Sequence, residues 1–202
     1  DEMGLGKTIQ TLALLASDVV ENLPALIICP TSLIENWARE SAKFTPELKV
    51  LVISGGDRKP LWEKAMAHDI CITSYSLIRR DTEHFRGLRF RYVILDEAQH
   101  IKNPATANAQ ACKMIESAHR LVLTGTPLEN SPEDLWSIFD FLHHGLLGTL
   151  NSFRSRYVVN PAPEILHELA DRIAPYMLRR KKEDVSRELP PKHEQILYCQ
   201  MG

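Results

Sequence analysis

Residues 1–8 read DEMGLGKT, a run of small and charged residues suited to holding phosphate. Gly4 and Gly6 let backbone N–H groups curl around an anion, Lys7 supplies a point charge for outer phosphates, and the Thr8 hydroxyl is placed to hold Mg²⁺. A second cluster, Asp96-Glu97-Ala98-Gln99, closes the apolar run Tyr92-Val93-Ile94-Leu95. There Asp96 can hold the same ion through its water shell, while Glu97 orients or deprotonates an attacking water, the division of labour that phosphoryl transfer needs. The phosphate-loop formula G-x-x-x-x-G-K-[ST] is broken at its first position, where Asp1 stands in place of glycine. The acidic pair at the end of a strand-like run is therefore what makes the Gly-Lys-Thr triplet point to a metal-bound nucleoside triphosphate.

Helices and strands must bring these clusters together. Ile9, Leu12, Ala16, Val19 and Val20 form a helical stripe directly after the loop, so the loop opens a helix whose N-terminal dipole favours anions. Strands are predicted at Ala25–Cys29, Leu48–Ile53, Asp69–Thr73, Phe90–Leu95 and Leu121–Thr124, with helical patterns between them, such as Leu33, Trp37 and Phe44, or Leu61, Ala65 and Met66. This alternation predicts a three-layer α/β fold around a parallel sheet. The strands end in Pro30-Thr31-Ser32, Ser54-Gly55-Gly56, Ser74-Tyr75-Ser76, Asp96-Glu97 and Thr124-Gly125-Thr126-Pro127. An ordinary turn is the better reading for Ser54-Gly55-Gly56, but five small, polar or acidic endings in a row predict a binding rim at the carboxyl edge. Trp37, spaced helically with Leu33 and Phe44, reads as a packed anchor rather than a base-stacking residue.

A chain of 202 residues, 44% hydrophobic and 25% charged, can bury one substantial core and a small appendage. Its formal charge of −2 excludes a globally basic nucleic-acid binder, so contact with DNA or RNA must come from a local patch. Cys29, Cys71, Cys112 and Cys199 form no C-x-x-C pair, and the first two sit in apolar runs as small hydrophobes. An intracellular, reduced protein without disulfides, zinc, signal peptide or membrane span is expected. The adjacent His143 and His144 read as surface residues. From about His143 the pattern changes: Gly145 and Gly148 break the helix, then Phe153, Tyr157, Ile165, Leu169, Ile173 and Met177 recur at helical spacing, punctuated by Pro161, Pro163 and Pro175. Two regions follow, a nucleotide-binding lobe over 1–142 and a helical protrusion over 143–202. Pro190-Pro191 ends the protrusion, and the alternating stretch Gln195–Cys199 predicts a strand returning to the sheet.

In their order these segments resemble the Swi/Snf family of helicase-like, DNA-dependent ATPases of helicase superfamily two. DEMGLGKTIQT is similar to the family's motif I, Ile27–Glu40 to motif Ia, Ile72–Ile78 to motif Ib, Asp96–Asn103 to motif II and Leu123–Asn130 to motif III, followed by the helix LWSIFDFL. Leu178–Lys192 is similar to the basic segment near the end of the family's first lobe. The resemblance implies the first RecA-like lobe of a P-loop NTPase that uses ATP and Mg²⁺ to move along double-stranded DNA. It carries Gly4, Leu5, Gly6, Lys7 and Thr8 onto nucleotide binding, Thr8 and Asp96 onto the metal, and Lys7, Asp96, Glu97 and Gln99 onto catalysis. Gln99 stands where many relatives have histidine; both can bridge by hydrogen bonds, but glutamine does not titrate near neutral pH, so proton transfer is not needed there. Thr124, Gly125 and Thr126 are implied to couple to Gln99. Pro30, Thr31, Ser32, Thr73, Ser74 and Tyr75 are implied to grip the phosphates of one DNA strand without reading bases. Arg179–Lys182 reads by default as a solvated helix face, with interlobe coupling and DNA contact competing.

The same comparison implies a second lobe as partner, whose arginines stabilise transferring phosphate, and a strand ahead of motif I. Neither is in these residues, so this chain alone is expected to be nearly inert as an ATPase. A DEAD-box RNA helicase would share the lobe but reads Ser-Ala-Thr where Thr124-Gly125-Thr126-Pro127 stands, and a guanine-nucleotide switch would need N-K-x-D. A pure binding module is the third class, separable by titrating ATP and duplex DNA individually. The Asp-Glu-Ala-Gln form leans towards a prokaryotic source, which places the protein in the cytoplasm or nucleoid; a eukaryotic source would place it in the nucleus.

Overall fold

Ala25–Cys29 forms β1 with every residue buried, as a strand covered on both faces must be. The computed structural model describes residues 1, 2, 4–125, 131–159 and 161–180. Among them β1 is the centre of a five-stranded sheet of order β2-β3-β1-β4-β5, with β2 at Val50–Val52, β3 at Ile70–Ser74, β4 at Arg89–Asp96 and β5 at Glu116–Leu123. Every pairing is parallel. Alternate side chains then serve opposite faces. Ile27, Ile72 and Ile94 pack against Leu12 and Leu15 of α1 (Lys7–Ser17) and Ile34 and Trp37 of α2 (Ile34–Phe44). Leu26, Ile28, Val93 and Leu95 meet the other helical layer. It comprises α3 (Lys59–Lys64), α4 (Tyr75–Arg80), α5 (Thr82–Phe85), α6 (Ala107–Lys113) and α7 (Pro132–Leu142), anchored by Trp62, Ile78, Phe85, Cys112 and Phe141. The three-layer parallel α/β architecture is thus present.

Several boundaries differ from expectation. β2 is shorter than Leu48–Ile53, and β5 starts at Glu116 rather than Leu121. The first half of β5 is polar and only partly covered because it lies on the sheet edge, where the apolar run that marks an interior strand is not required. Phe44 is 39% exposed, with the Lys43 ammonium 4.6 Å from its ring centroid, so it does not share the buried face of Trp37. In α3 the buried anchor is Trp62, not Leu61 or Met66.

α8 (Leu150–Tyr157) and α9 (Pro163–Ile173) form a helical appendage whose Phe153, Tyr157 and Leu169 pack on Trp136 and Phe139. Trp136 and Phe139 belong to α7, so this satellite core straddles the expected division at residue 142. Pro190-Pro191 and the Gln195–Cys199 stretch lie outside the described residues. Cys29, Cys71 and Cys112 are buried free thiols, each pushed by burial to about 12. No described helix is long and apolar enough to cross a membrane.

Candidate functional site

The parallel register brings the strand ends level. Cys29 lies beside Ser74, Ile28 beside Leu95, and Asp96 beside Leu123. The segments that follow β1, β3, β4 and β5 therefore emerge at one edge of the sheet, the edge at which open α/β folds bind ligands. Lys7 reaches the same edge, lining a cavity with Leu123 and Thr124 at the end of β5, the strand whose Leu123 lies beside Asp96. Gly4 and Gly6 take φ of 85° and 78°, the left-handed region that a residue with a Cβ adopts only under strain. Gly6 caps α1 through its backbone, and a Cβ there would stand 3.2 Å from Ile9 Cγ2. Thr8 follows in the first helical turn. The Lys7 ammonium donates to the Asp1 and Glu2 carbonyls, each at 3.0 Å, and the Gln10 amide donates to the Leu5 carbonyl at 2.8 Å. The helix N-terminus, the lysine and the glycine backbone are thus the groups that could cradle an anion.

Asp96 ends β4 and is only 8% exposed. Its Oδ2 accepts a hydrogen bond from the Trp37 indole at 2.9 Å, and its Oδ1 accepts from the Glu97 backbone N–H at 3.0 Å. The Tyr75 hydroxyl donates to the Asp96 carbonyl at 2.8 Å. Burial raises the Asp96 carboxyl above the ordinary carboxylate range; the Trp37 bond opposes that rise, the Glu97 charge adds to it, and Lys7 opposes it. Glu97 turns into the left-handed region at φ 54°, a conformation that costs a non-glycine residue about 1–2 kcal/mol. Such strain is held where the surroundings over-determine it. Here the Gln99 amide donates to Glu97 Oε2 at 3.0 Å while the Glu97 N–H is held by Asp96, so both ends of the residue are fixed.

Trp37 and Tyr75 were not among the expected site residues in these roles, although a signal exists. A buried indole N–H or phenol must find a hydrogen-bond partner, and both aromatic residues follow strands whose ends lie near that of β4. The DNA-facing expectation is corrected for part of its set. Thr31 and Ser32 are exposed on the turn after β1 and Pro30 is half-buried, but Thr73, Ser74 and Tyr75 are all buried. The Thr73 hydroxyl donates to the Ile53 carbonyl at 3.0 Å, Ser74 Oγ is 3.1 Å from Ser76 Oγ, and the Tyr75 hydroxyl is committed to Asp96. These partners turn Thr73 and Tyr75 inward, and Ser76, in the first turn of α4, is the exposed hydroxyl there. Thr124 and Gly125 lie half-buried after β5, and Thr126 falls outside the described residues. Met177–Arg180 is non-helical, so the described part of the basic run is not a helix face.

A parallel α/β sheet with a phosphate loop opening a helix and an acidic pair at a strand's carboxyl end defines a P-loop nucleotide-binding lobe. The model of the SNF2-related domain matches residues 1–202, and the chain belongs to that family. It is 40% identical to TATA-binding protein-associated factor MOT1 of Saccharomyces cerevisiae and 40% identical to an uncharacterized ATP-dependent helicase of Mycoplasma pneumoniae, matching over 100% of its own length in both cases. It spans only 12% and 20% of those proteins. The SWI2/SNF2 ATPase core of Sulfolobus solfataricus, solved in complex with dsDNA, superimposes with a TM-score of 0.83 at 42% identity, over 91% of this chain and 40% of that one. The five-stranded α/β fold is that of a lobe of this core.

Proposed function

We propose that the chain is the ATP-binding lobe of a Swi/Snf-type translocase that moves along double-stranded DNA at the expense of ATP. The observation that carries this reading is that one sheet edge gathers Lys7, which lines a cavity with Leu123 and Thr124 at the end of β5, Asp96 and Glu97 at the neighbouring end of β4, and the exposed Thr31 and Ser32 after β1. Nucleotide phosphates would take the Lys7 ammonium from the loop carbonyls that hold it, and the α1 N-terminus would face them. The donor set fits Mg²⁺: a hydroxyl at Thr8 and a carboxylate at Asp96 whose burial leaves its charge under-compensated. When bound, that ion supplies charge neutralisation on phosphate oxygens. Glu97 then orients the attacking water and accepts its proton, with Gln99 fixing the Glu97 carboxylate. Thr31, Ser32 and Ser76 are exposed hydroxyls that would meet DNA phosphates, and a second lobe would complete the site with arginines.

The similarity to an ATP-dependent helicase of Mycoplasma pneumoniae supports ATP-dependent work, and the archaeal core's dsDNA supports the polymer. The test is made in the longer protein that carries this lobe. DNA-stimulated ATP turnover with little strand separation is expected; Lys7→Ala should remove nucleotide binding, and Glu97→Gln should bind ATP while blocking its hydrolysis. A Glu97→Gln protein that turns over ATP at the unmutated rate refutes the role given to that carboxylate.

A further inference from the structure

The first described residue of the basic run to be placed against the nucleotide site is Arg180. After α9 the chain passes through a 3-10 turn at Ala174–Tyr176 and comes back over the phosphate loop. The Arg180 backbone N–H donates to Asp1 Oδ1 at 3.1 Å, its Nε donates to the same oxygen at 3.2 Å, and its Nη2 donates to Asp1 Oδ2. Nη2 also donates to Gln10 Oε1 at 2.7 Å, and the Glu2 N–H donates to the Arg180 carbonyl at 3.2 Å. The Asp1 side chain is 7% exposed and that of Arg180 36%, so the pair is screened from water on one side.

These contacts close a circuit. Arg180 holds Asp1 and Gln10; Gln10 in turn holds the Leu5 carbonyl, and the Asp1 and Glu2 carbonyls hold Lys7. A loop with glycines at Gly4 and Gly6 has a permissive backbone and loses much conformational entropy when ordered. Its shape must be set by partners from outside, and the circuit supplies them on both limbs of the loop. We infer that Arg180 is a positioning residue of the nucleotide site, which clamps the phosphate loop through Asp1 and Gln10 and ties it to the end of the helical appendage. This rests on the proposed nucleotide site. The inward donation of Nε and Nη2 onto Asp1 and Gln10 favours the clamp over a DNA contact.

The experiment measures, in the longer protein, fluorescent-ATP affinity, KM and kcat for ATP, duplex-DNA affinity and thermal midpoint for Arg180→Ala, Arg180→Lys, Asp1→Asn and the Arg180→Ala/Asp1→Asn pair, with Lys7→Ala as reference. Charge-assisted hydrogen bonds at a half-buried pair predict that Arg180→Ala weakens nucleotide binding and raises KM about tenfold, with a smaller loss in kcat. Arg180→Lys should recover part of the affinity, because one charge remains but the fork that spans Asp1 and Gln10 is lost. The double variant should be no weaker than the weaker single, because both act through one contact. A lowered thermal midpoint with KM unmoved overturns the inference in favour of a purely structural contact. Weakened DNA binding with nucleotide affinity unmoved overturns it in favour of a DNA contact. Full additivity in the double variant shows that the two residues act separately and overturns it too. Should Arg180→Ala fail to fold, Arg180→Lys and Asp1→Asn, which preserve size, decide the matter by the same readouts. Unchanged nucleotide binding in Lys7→Ala would bring down the site itself, whereas loss there with no effect at Arg180 brings down only the clamp.

Discussion

Trp37→Phe removes the one indole N–H that reaches Asp96 Oδ2, while keeping an aromatic ring in the α2 face. A hydrogen bond to a charged group contributes about 1.5–3 kcal/mol, and trimming a ring in a packed core adds about 1–2 kcal/mol for the space left behind. Trp37 is fully buried and Asp96 nearly so, hence solvent screening takes little from either contribution, and a loss of about 3–4 kcal/mol is expected. The sign of the pH effect follows from burial, which already holds the Asp96 carboxyl above its ordinary range against the pull of Trp37. A carboxyl raised in the folded state contributes stability that is present below its unfolded pKa and lost as pH rises through its folded one. Removing Trp37 raises the folded value further, so the stability gap between variant and parent should be larger at neutral pH than in acid. If Asp96 holds Mg²⁺ through its carboxylate as proposed, the acid limb of ATP turnover in the longer protein should move to higher pH, and more Mg²⁺ should be needed for half-maximal rate. The assay is urea unfolding of a double-mutant cycle with Asp96→Ala, together with pH profiles of turnover. A coupling energy near zero, or an acid limb that does not move, would refute the idea that Trp37 sets the state of Asp96.

Gly6→Ala should weaken nucleotide binding at least tenfold in a fluorescence titration, since it forces a Cβ into the left-handed region at φ 78° and against Ile9, which costs about 1 kcal/mol or more before any phosphate is bound. At Asp81 burial favours the neutral acid, but Arg58, bonded to both carboxylate oxygens, and the Trp62 indole outweigh it and hold the carboxyl below its ordinary range. The stability from this group is present above the unfolded carboxyl pKa and lost as pH falls through the depressed folded one, so Asp81→Ala should cost about 3–5 kcal/mol near neutrality in urea unfolding and less in acid. If the lobe meets phosphates through the Thr31, Ser32 and Ser76 hydroxyls as proposed, duplex DNA binding should show little sequence preference, and the lobe's own share of the salt dependence should be shallow because neutral hydroxyls release few counterions; a preference for one DNA sequence by several orders of magnitude would contradict this.

The candidate site was legible in the chain because the residue types suited to phosphate and metal stand at short spacing: Gly4 to Thr8 and Asp96 to Gln99 each fall within one turn or one strand end. β1 was legible to the residue because a strand buried on both faces is apolar throughout. β5 was legible only in its second half, since an edge strand can afford Glu116, His119 and Arg120. Sequence position also put Thr73 and Tyr75 on the rim with the other strand endings, and their direction was settled by partners that no local pattern records, the Ile53 carbonyl for Thr73 and the Asp96 carbonyl for Tyr75. The sequence by itself determined which groups could meet a nucleotide. The tertiary structure alone decided what holds them: Trp37 on Asp96 across 59 positions, and Arg180 on Asp1 across 179. Hydrogen bonds between residues so far apart are set by how helices and strands stack, and the same side chains in another packing would find other partners.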